Sequence, residues 1–152
     1  MLRPSSPDAR RAVGFTLIEM LVVLLVISVL AGLVGPMVFR NVGDAKQQGA
    51  RAQIELLGLA LDAYRLDNGR YPTTEQGLAA LWQAPAVPPL AGRWRGPYTR
   101  KGIPLDPWDR PYVYRAPGEQ MPESYDLLSY GRDGTAGGTG EDADILSWES
   151  GR

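Results

Sequence analysis

No cysteine and no histidine occur among the 152 residues. The first absence excludes disulfides, thiolate nucleophiles and thiolate zinc sites. The second removes imidazole metal ligands, the Ser-His-Asp triad and the commonest general base. An excess of one charge is lacking too: 16 Lys+Arg against 17 Asp+Glu leave a formal net charge of −1. So balanced a chain has no basic field to hold a phosphate backbone, and nucleic acid is not an expected partner. Catalysis would have to rest on carboxylates, lysine, tyrosine or a metal. A carboxylate pair can hydrolyse a glycoside, but a small unit with a Gly-rich acidic loop offers no deep cleft for one. The chain is therefore read as a non-enzyme. Trp82, Trp94, Trp108, Tyr112 and Trp148 are read as core and loop staples rather than as a sugar platform.

What is present is unevenly spread. Residues 1–14 are polar, with Arg3, Arg10 and Arg11 against Asp8. Residues 15–39 hold one charge, Glu19, in 25 positions. Residues 40–118 carry 11 basic and 7 acidic side chains, and from Glu119 onward there are 8 acidic and 2 basic. A helix over the apolar run, at ~1.5 Å per residue, reaches roughly 37 Å and suffices for a ~30 Å hydrocarbon core. A secretory signal peptide is the competing reading, but its apolar region is usually about 7–15 residues, and Glu19 and the length to Phe39 oppose it. Arginine and lysine flank both ends, so charge does not orient the span.

Past Arg40 the pattern turns amphipathic. Ala45, Ala52, Leu56, Leu59, Ala63 and Leu66 recur at helical spacings and predict the face that packs on a soluble unit. Asn68-Gly69 is a helix stop, so one helix is expected over residues 16–67, with Pro36 a possible kink. Thr73 and Gln76 have capping-box spacing and predict a short helix burying Leu78, Leu81 and Trp82. Pro85, Pro88 and Pro89 end it, and a loop rich in Pro, Gly and aromatics follows to residue 111. Strands are expected at 111–115, 125–130 and 144–148. The fold class is α+β: a long helix, apolar then amphipathic, on a small domain with a short helix, a Pro/Gly-rich loop and a small antiparallel sheet.

Two places invite chemistry. A charge within an apolar span costs ~2.5–3.5 kcal/mol at the bilayer centre. Glu19 therefore either sits near the membrane surface or pairs with a positive charge among packed helices. The second place is the loop GRDGTAGGTGEDADI after Tyr130. Asp133, Glu141, Asp142 and Asp144 offer hard oxygens, and its glycines let backbone carbonyls curl inward, as Ca²⁺ requires. It is not an EF-hand, because strands flank it and its fifth position is Gly137. A solvated acidic hairpin loop is the alternative.

The run Gly14-Phe15-Thr16-Leu17-Ile18-Glu19, followed by the apolar stretch, resembles the prepilin class. DNGRYPTTEQGL at residues 67–78, Asp106-Pro107-Trp108 with Pro111-Tyr112, and Tyr125-Asp126-Leu127 leading to Asp133-Gly134 resemble the major pseudopilin family of the type II secretion system. The resemblance implies a type IV pilin-like fold in three parts: a cleaved leader (1–14), a transmembrane and assembly helix (15–39) and a periplasmic globular domain (40–152). It implies that a prepilin peptidase cuts between Gly14 and Phe15 and methylates the new N-terminus, and that Glu19 serves assembly. It implies an inner-membrane, single-pass subunit that polymerises with itself into a periplasmic pseudopilus. The expected partners are minor pseudopilins, an inner-membrane platform with its ATPase, and the outer-membrane secretin through which folded proteins leave. It also implies a structural Ca²⁺ held by Asp133, Asp142 and the Tyr130 carbonyl, with Glu141 or Asp144 completing the shell. Departures from the family pattern are Asp109-Arg110 in place of Gly-Asn, and Tyr130 and Arg132 in place of smaller or aliphatic residues. A type IV pilus or DNA-uptake subunit, and a membrane-anchored enzyme or calcium-binding module, are the alternatives. Absent cysteines and the acidic loop oppose the first.

Overall fold

The computed structural model describes residues 14–149, except for the side chains of residues 34–41. All of the proposed leader (1–14) except Gly14, and the Pro36 side chain, lie outside that description. The chain divides into two compact units, Met1–Phe39 and Arg40–Arg152. One helix, α1 (Leu17–Asn68), supplies residues to both.

Thr16 starts α1. Its hydroxyl accepts the Glu19 N–H at 3.3 Å, which satisfies one of the orphan donors of the first turn, and its carbonyl accepts the Met20 N–H at 3.2 Å, the first bond of the helix ladder. Thr16 and Glu19 thus have capping-box spacing, and Glu19 places a negative charge at the positive end of the helix dipole. The predicted stop holds: Gly69 takes φ +76° and its N–H donates to the Arg65 carbonyl at 2.7 Å.

The buried face of α1 is not the expected one. Ala50, Ile54, Leu57, Ala60, Leu61 and Tyr64 enter the core, while Leu56 and Leu59 are each 66% exposed and Leu66 is 86% exposed. Ala45 and Ala52 are exposed as well, and Ala63 is half-buried. The physical reason is a degeneracy. Residues 50, 54, 57, 61 and 64 and residues 52, 56, 59, 63 and 66 have the same four-three-four-three spacing, so periodicity defines two apolar arcs without choosing between them. The arc ending in Tyr64 packs, through side chains that share one core with Leu81, Tyr112, Tyr114, Leu127 and Ile145.

The Thr73–Gln76 capping box forms reciprocally, with Gln76 N–H on the Thr73 hydroxyl at 3.2 Å and Thr73 N–H on the Gln76 Oε1 at 3.0 Å. It does not open an α-helix. Gly77 follows at φ +59°, and only a 3-10 turn forms over Leu78–Leu81. Leu78 and Leu81 are buried as expected, but Trp82 is exposed. Gln76 is used instead to donate to the Val87 and Pro89 carbonyls, which holds the proline loop. Trp94 anchors that loop through its indole N–H on the Ala80 carbonyl.

Three strands follow, β1 (Val113–Arg115), β2 (Asp126–Ser129) and β3 (Ile145–Leu146), shorter than expected and ordered β1-β2-β3. Both pairings are antiparallel, with Val113 opposite Leu128 and Leu128 opposite Leu146. All four residues of the central strand are buried. Asp126 tolerates this because its carboxylate accepts three backbone N–H groups, those of Glu119, Gln120 and Met121.

Leu61→Ala is expected to cost the folded unit about 2–5 kcal/mol. Leu59→Ala, on the exposed arc, should stay within about 0.5 kcal/mol. Denaturant unfolding of the two variants checks the assignment, and equal losses would return Leu59 to the core.

Candidate functional site

The acidic loop is built outward from Asp106, which is buried. Its Oδ1 accepts the Trp108 and Arg110 backbone N–H groups at 3.0 and 2.9 Å, and its Oδ2 accepts the Ser129 hydroxyl at 2.6 Å. Between those two donors Asp109 sits at φ +63°, a left-handed conformation that a glycine would hold without strain. The turn delivers the Arg110 guanidinium onto the Gly131 and Arg132 carbonyls at 2.9 and 2.7 Å. Of the pair at 109–110, Arg110 has a clear structural use. Arg110 pins the start of the acidic loop.

The loop then leaves β2 and returns through a 3-10 turn, Gly140–Asp142, to β3. Arg132 ties its two limbs together. Its backbone N–H donates to the Glu141 carbonyl at 2.9 Å. Its side chain is bidentate on Asp142, with Nε on Oδ1 at 2.8 Å and Nη2 on Oδ2 at 3.0 Å. Nη1 lies 3.6 Å from a Glu141 oxygen. These contacts hold the guanidinium even more firmly protonated than usual, the Asp142 hydrogen bond first.

The five residues proposed as metal ligands are not gathered at one point. Glu141 and Asp142 share Arg132. Asp133 closes its own turn by accepting the Thr135 backbone N–H and hydroxyl, which hold its carboxyl below the usual carboxylate range. The Tyr130 carbonyl accepts the Gly134 N–H at 3.3 Å. Asp144 Oδ2 accepts the Gly137 N–H at 2.9 Å, whereas its Oδ1 is buried with no hydrogen-bond partner. Among the described residues no group of three or more carboxylates is placed to hold a metal ion.

The loop also touches the helix. Gln47 on α1 donates to the Gly140 and Ala143 carbonyls, the second at 3.3 Å. Gly43 is buried, and a Cβ there would overlap the Glu141 side chain. The residue pattern alone assigns no role here to Arg110, Arg132, Gln47 or Gly43. Two of them carry a signal: Arg110 and Arg132 stand out as departures from the family pattern, and Arg132 is the only basic residue between Arg115 and Arg152.

At the other end of α1, Phe15 is 72% exposed and Glu19 is exposed. So is every large apolar side chain from Leu17 to Leu33. Among the described residues no helix is long and apolar enough to cross a membrane. The side chains of residues 34–39, the last part of the apolar run, lie outside them.

Two families match the chain. "Type II secretion system (T2SS), protein G" covers residues 37–148, and the "Prokaryotic N-terminal methylation motif" covers residues 10–35. The type II secretion system core protein G of Pseudomonas aeruginosa is 44% identical over 141 residues, 93% of this chain and 98% of the relative. The Escherichia coli K12 protein of the same name is 47% identical over 135 residues, 89% of this chain and 90% of that one. The crystal structure of the major pseudopilin from the type 2 secretion system of enterohaemorrhagic Escherichia coli superposes with a TM-score of 0.60 at 41% identity. It covers 71% of this chain and 90% of that one.

Gly138 tests the loop's path. It holds φ +84°, and a Cβ there would overlap the Asp142 carbonyl. Gly138→Ala is expected to cost about 1–3 kcal/mol. Gly92→Ala, with open space around it, should cost less than about 0.5 kcal/mol. Thermal unfolding compares the two, and an indifferent Gly138→Ala would mean that the loop runs elsewhere.

Proposed function

Because the chain belongs to the type II secretion system protein G family, we infer that it is a major pseudopilin, a structural filament subunit and not an enzyme. One observation carries the mechanism: α1 presents far more apolar surface than its own chain covers. Each exposed Leu, Ile, Val or Phe forgoes roughly 1.5–3 kcal/mol of burial. More than a dozen of them in residues 15–33 together outweigh the ~5–15 kcal/mol net stability of a typical domain. Such a segment has to lie in lipid or against other helices.

In our reading residues 15–39 anchor the subunit in the inner membrane as a single span, with residues 40–152 in the periplasm. They then pack against the same segment of neighbouring copies. The exposed arc of the globular unit, from Ala52 to Leu66, has the four-three spacing of a helix–helix seam and offers a second apolar surface. Prepilin peptidase cuts between Gly14 and Phe15. The new ammonium at Phe15 is paired by Glu19 of an adjacent copy, since opposite charges attract more strongly where water is excluded. The platform and ATPase add subunits, minor pseudopilins share the filament, and its growth moves folded proteins to the secretin. A type IV pilus or DNA-uptake subunit, and a membrane-anchored calcium module, are not favoured by the comparisons.

The acidic loop is proposed to hold one Ca²⁺. The donor chemistry supports it: Asp133, Glu141, Asp142 and Asp144 are hard-oxygen groups within one Gly-rich loop, and the Asp144 Oδ1 is buried and unpartnered. Backbone carbonyls, that of Tyr130 included, supplement them. Bound Ca²⁺ would supply the positive charge that crowded carboxylates lack.

Mass spectrometry of the membrane-extracted protein is expected to find an N-methylated Phe15 at its start; an intact Met1 would overturn the processing. Glu19→Ala should abolish filament crosslinks while residues 40–152 stay folded. Filament yield equal to wild type would remove the pairing. Adding Ca²⁺ should raise the melting temperature relative to chelator, increasingly so with free Ca²⁺ over Kd. An unmoved melting temperature would remove the metal.

A further inference from the structure

Arg132 already occupies the place of a cation. Its guanidinium engages both carboxylate oxygens of Asp142 and leans on Glu141 at 3.6 Å. Its main chain spans the same gap, with the N–H on the Glu141 carbonyl and the carbonyl on the Arg110 guanidinium. A planar fork on a carboxylate is the strong, directional form of an ion pair. The limbs of the loop, residues 130–135 and 140–144, are therefore joined across their neck by a positive charge that belongs to the chain.

That charge opposes a divalent ion on the same oxygens. For Asp142 to ligate a metal, the guanidinium has to stay beside a doubly charged neighbour or give up its hydrogen bonds and move away. The way out is open, because the Arg132 side chain is 57% exposed. Arg110 holds only carbonyls and need not move. Arg132 does not reach Asp144, whose Oδ1 is buried and without a partner.

We propose that Arg132 is a tethered counter-ion that closes the acidic loop in the metal-free protein and competes with Ca²⁺ for Asp142. It thereby sets the metal affinity of this chain lower than the same loop would have without it. The competition rests on the calcium reading above; closure without metal does not. The structure gives closure a clear signature, because the Arg132 and Gly137 amides both donate inside the loop.

The test uses full-length protein in detergent micelles, wild type against Arg132→Gln and Arg132→Lys. Two readouts are taken: amide hydrogen exchange over residues 131–145 in chelator, and calorimetric titration with CaCl₂. In chelator, Arg132→Gln should lose protection in the loop while α1 and β2 keep theirs. Its Ca²⁺ affinity should rise about two- to five-fold, the scale of a largely exposed ion pair. Arg132→Lys keeps the charge without the fork and should fall between the two. Equal Ca²⁺ affinity in wild type and Arg132→Gln overturns the competition alone. No calcium heat in either protein overturns the competition together with the calcium reading. Unchanged loop protection in Arg132→Gln overturns the closure.

Discussion

The globular unit turns on a buried carboxylate that has no positive side chain bonded to it. Asp106 is satisfied by two backbone N–H groups and one hydroxyl. Hydrogen bonds to a charged group contribute roughly 1.5–3 kcal/mol each, and a buried carboxylate stripped of them is costly. Two of those bonds are local, to Trp108 and Arg110, and the third reaches Ser129 on a strand 23 positions away. They shape the turn at Trp108–Arg110, fix the end of β2 at Ser129, and so place the Arg110 guanidinium against the first carbonyls of the acidic loop. Asp126 does the same at the opposite end of β2, where it gathers three N–H groups of the preceding loop. A strand of four residues, too short to be stable by its ladder alone, is held at both ends by carboxylates.

The helix carries the other constraint. Its second half has two apolar arcs of identical spacing, and one chain can bury only one of them. Burying the arc through Ile54, Leu61 and Tyr64 builds the core and leaves Leu56, Leu59 and Leu66 outside. In a monomeric soluble domain such a stripe is a liability. In a pseudopilin it is available surface, continuous in kind with the apolar residues of 15–33. The same residues that make the isolated subunit unhappy in water thus make assembly favourable. Assembly also requires no catalytic group, consistent with a chain that has neither histidine nor cysteine.

Much of this was legible in the residues. The helix ends at Asn68 because Gly69 can take a left-handed conformation, and the three strands lie where the alternation put them. The failures have physical causes. Two equal arcs hid the packing face of α1, since only tertiary contact decides between them. The capping box at Thr73 was real, yet Gly77 diverted the chain, so a correct local signal led to the wrong element. In the acidic loop the carboxylates point to metal ligation, whereas a segment of 36 positions holding a single arginine points to charge balance within the chain. The loop's shape depends as much on the two guanidinium groups as on its acids.

The loop's grip on α1 connects these two constraints. Gln47 reaches across to the Gly140 and Ala143 carbonyls, and Glu141 fills the space that Gly43 leaves open. Both helix positions lie in the first turns of the globular unit. An open acidic loop withdraws those carbonyls and leaves Gln47 without its partners. A closed one, whether by Arg132 or by a metal, fixes them. A helix turn containing glycine is weak by propensity, by about 1 kcal/mol relative to alanine, so it gains most from being held from outside. The charge balance of residues 130–145, with Arg132 facing Glu141 and Asp142, therefore bears on how firmly the loop holds Gly43 and Gln47 at the start of the globular unit.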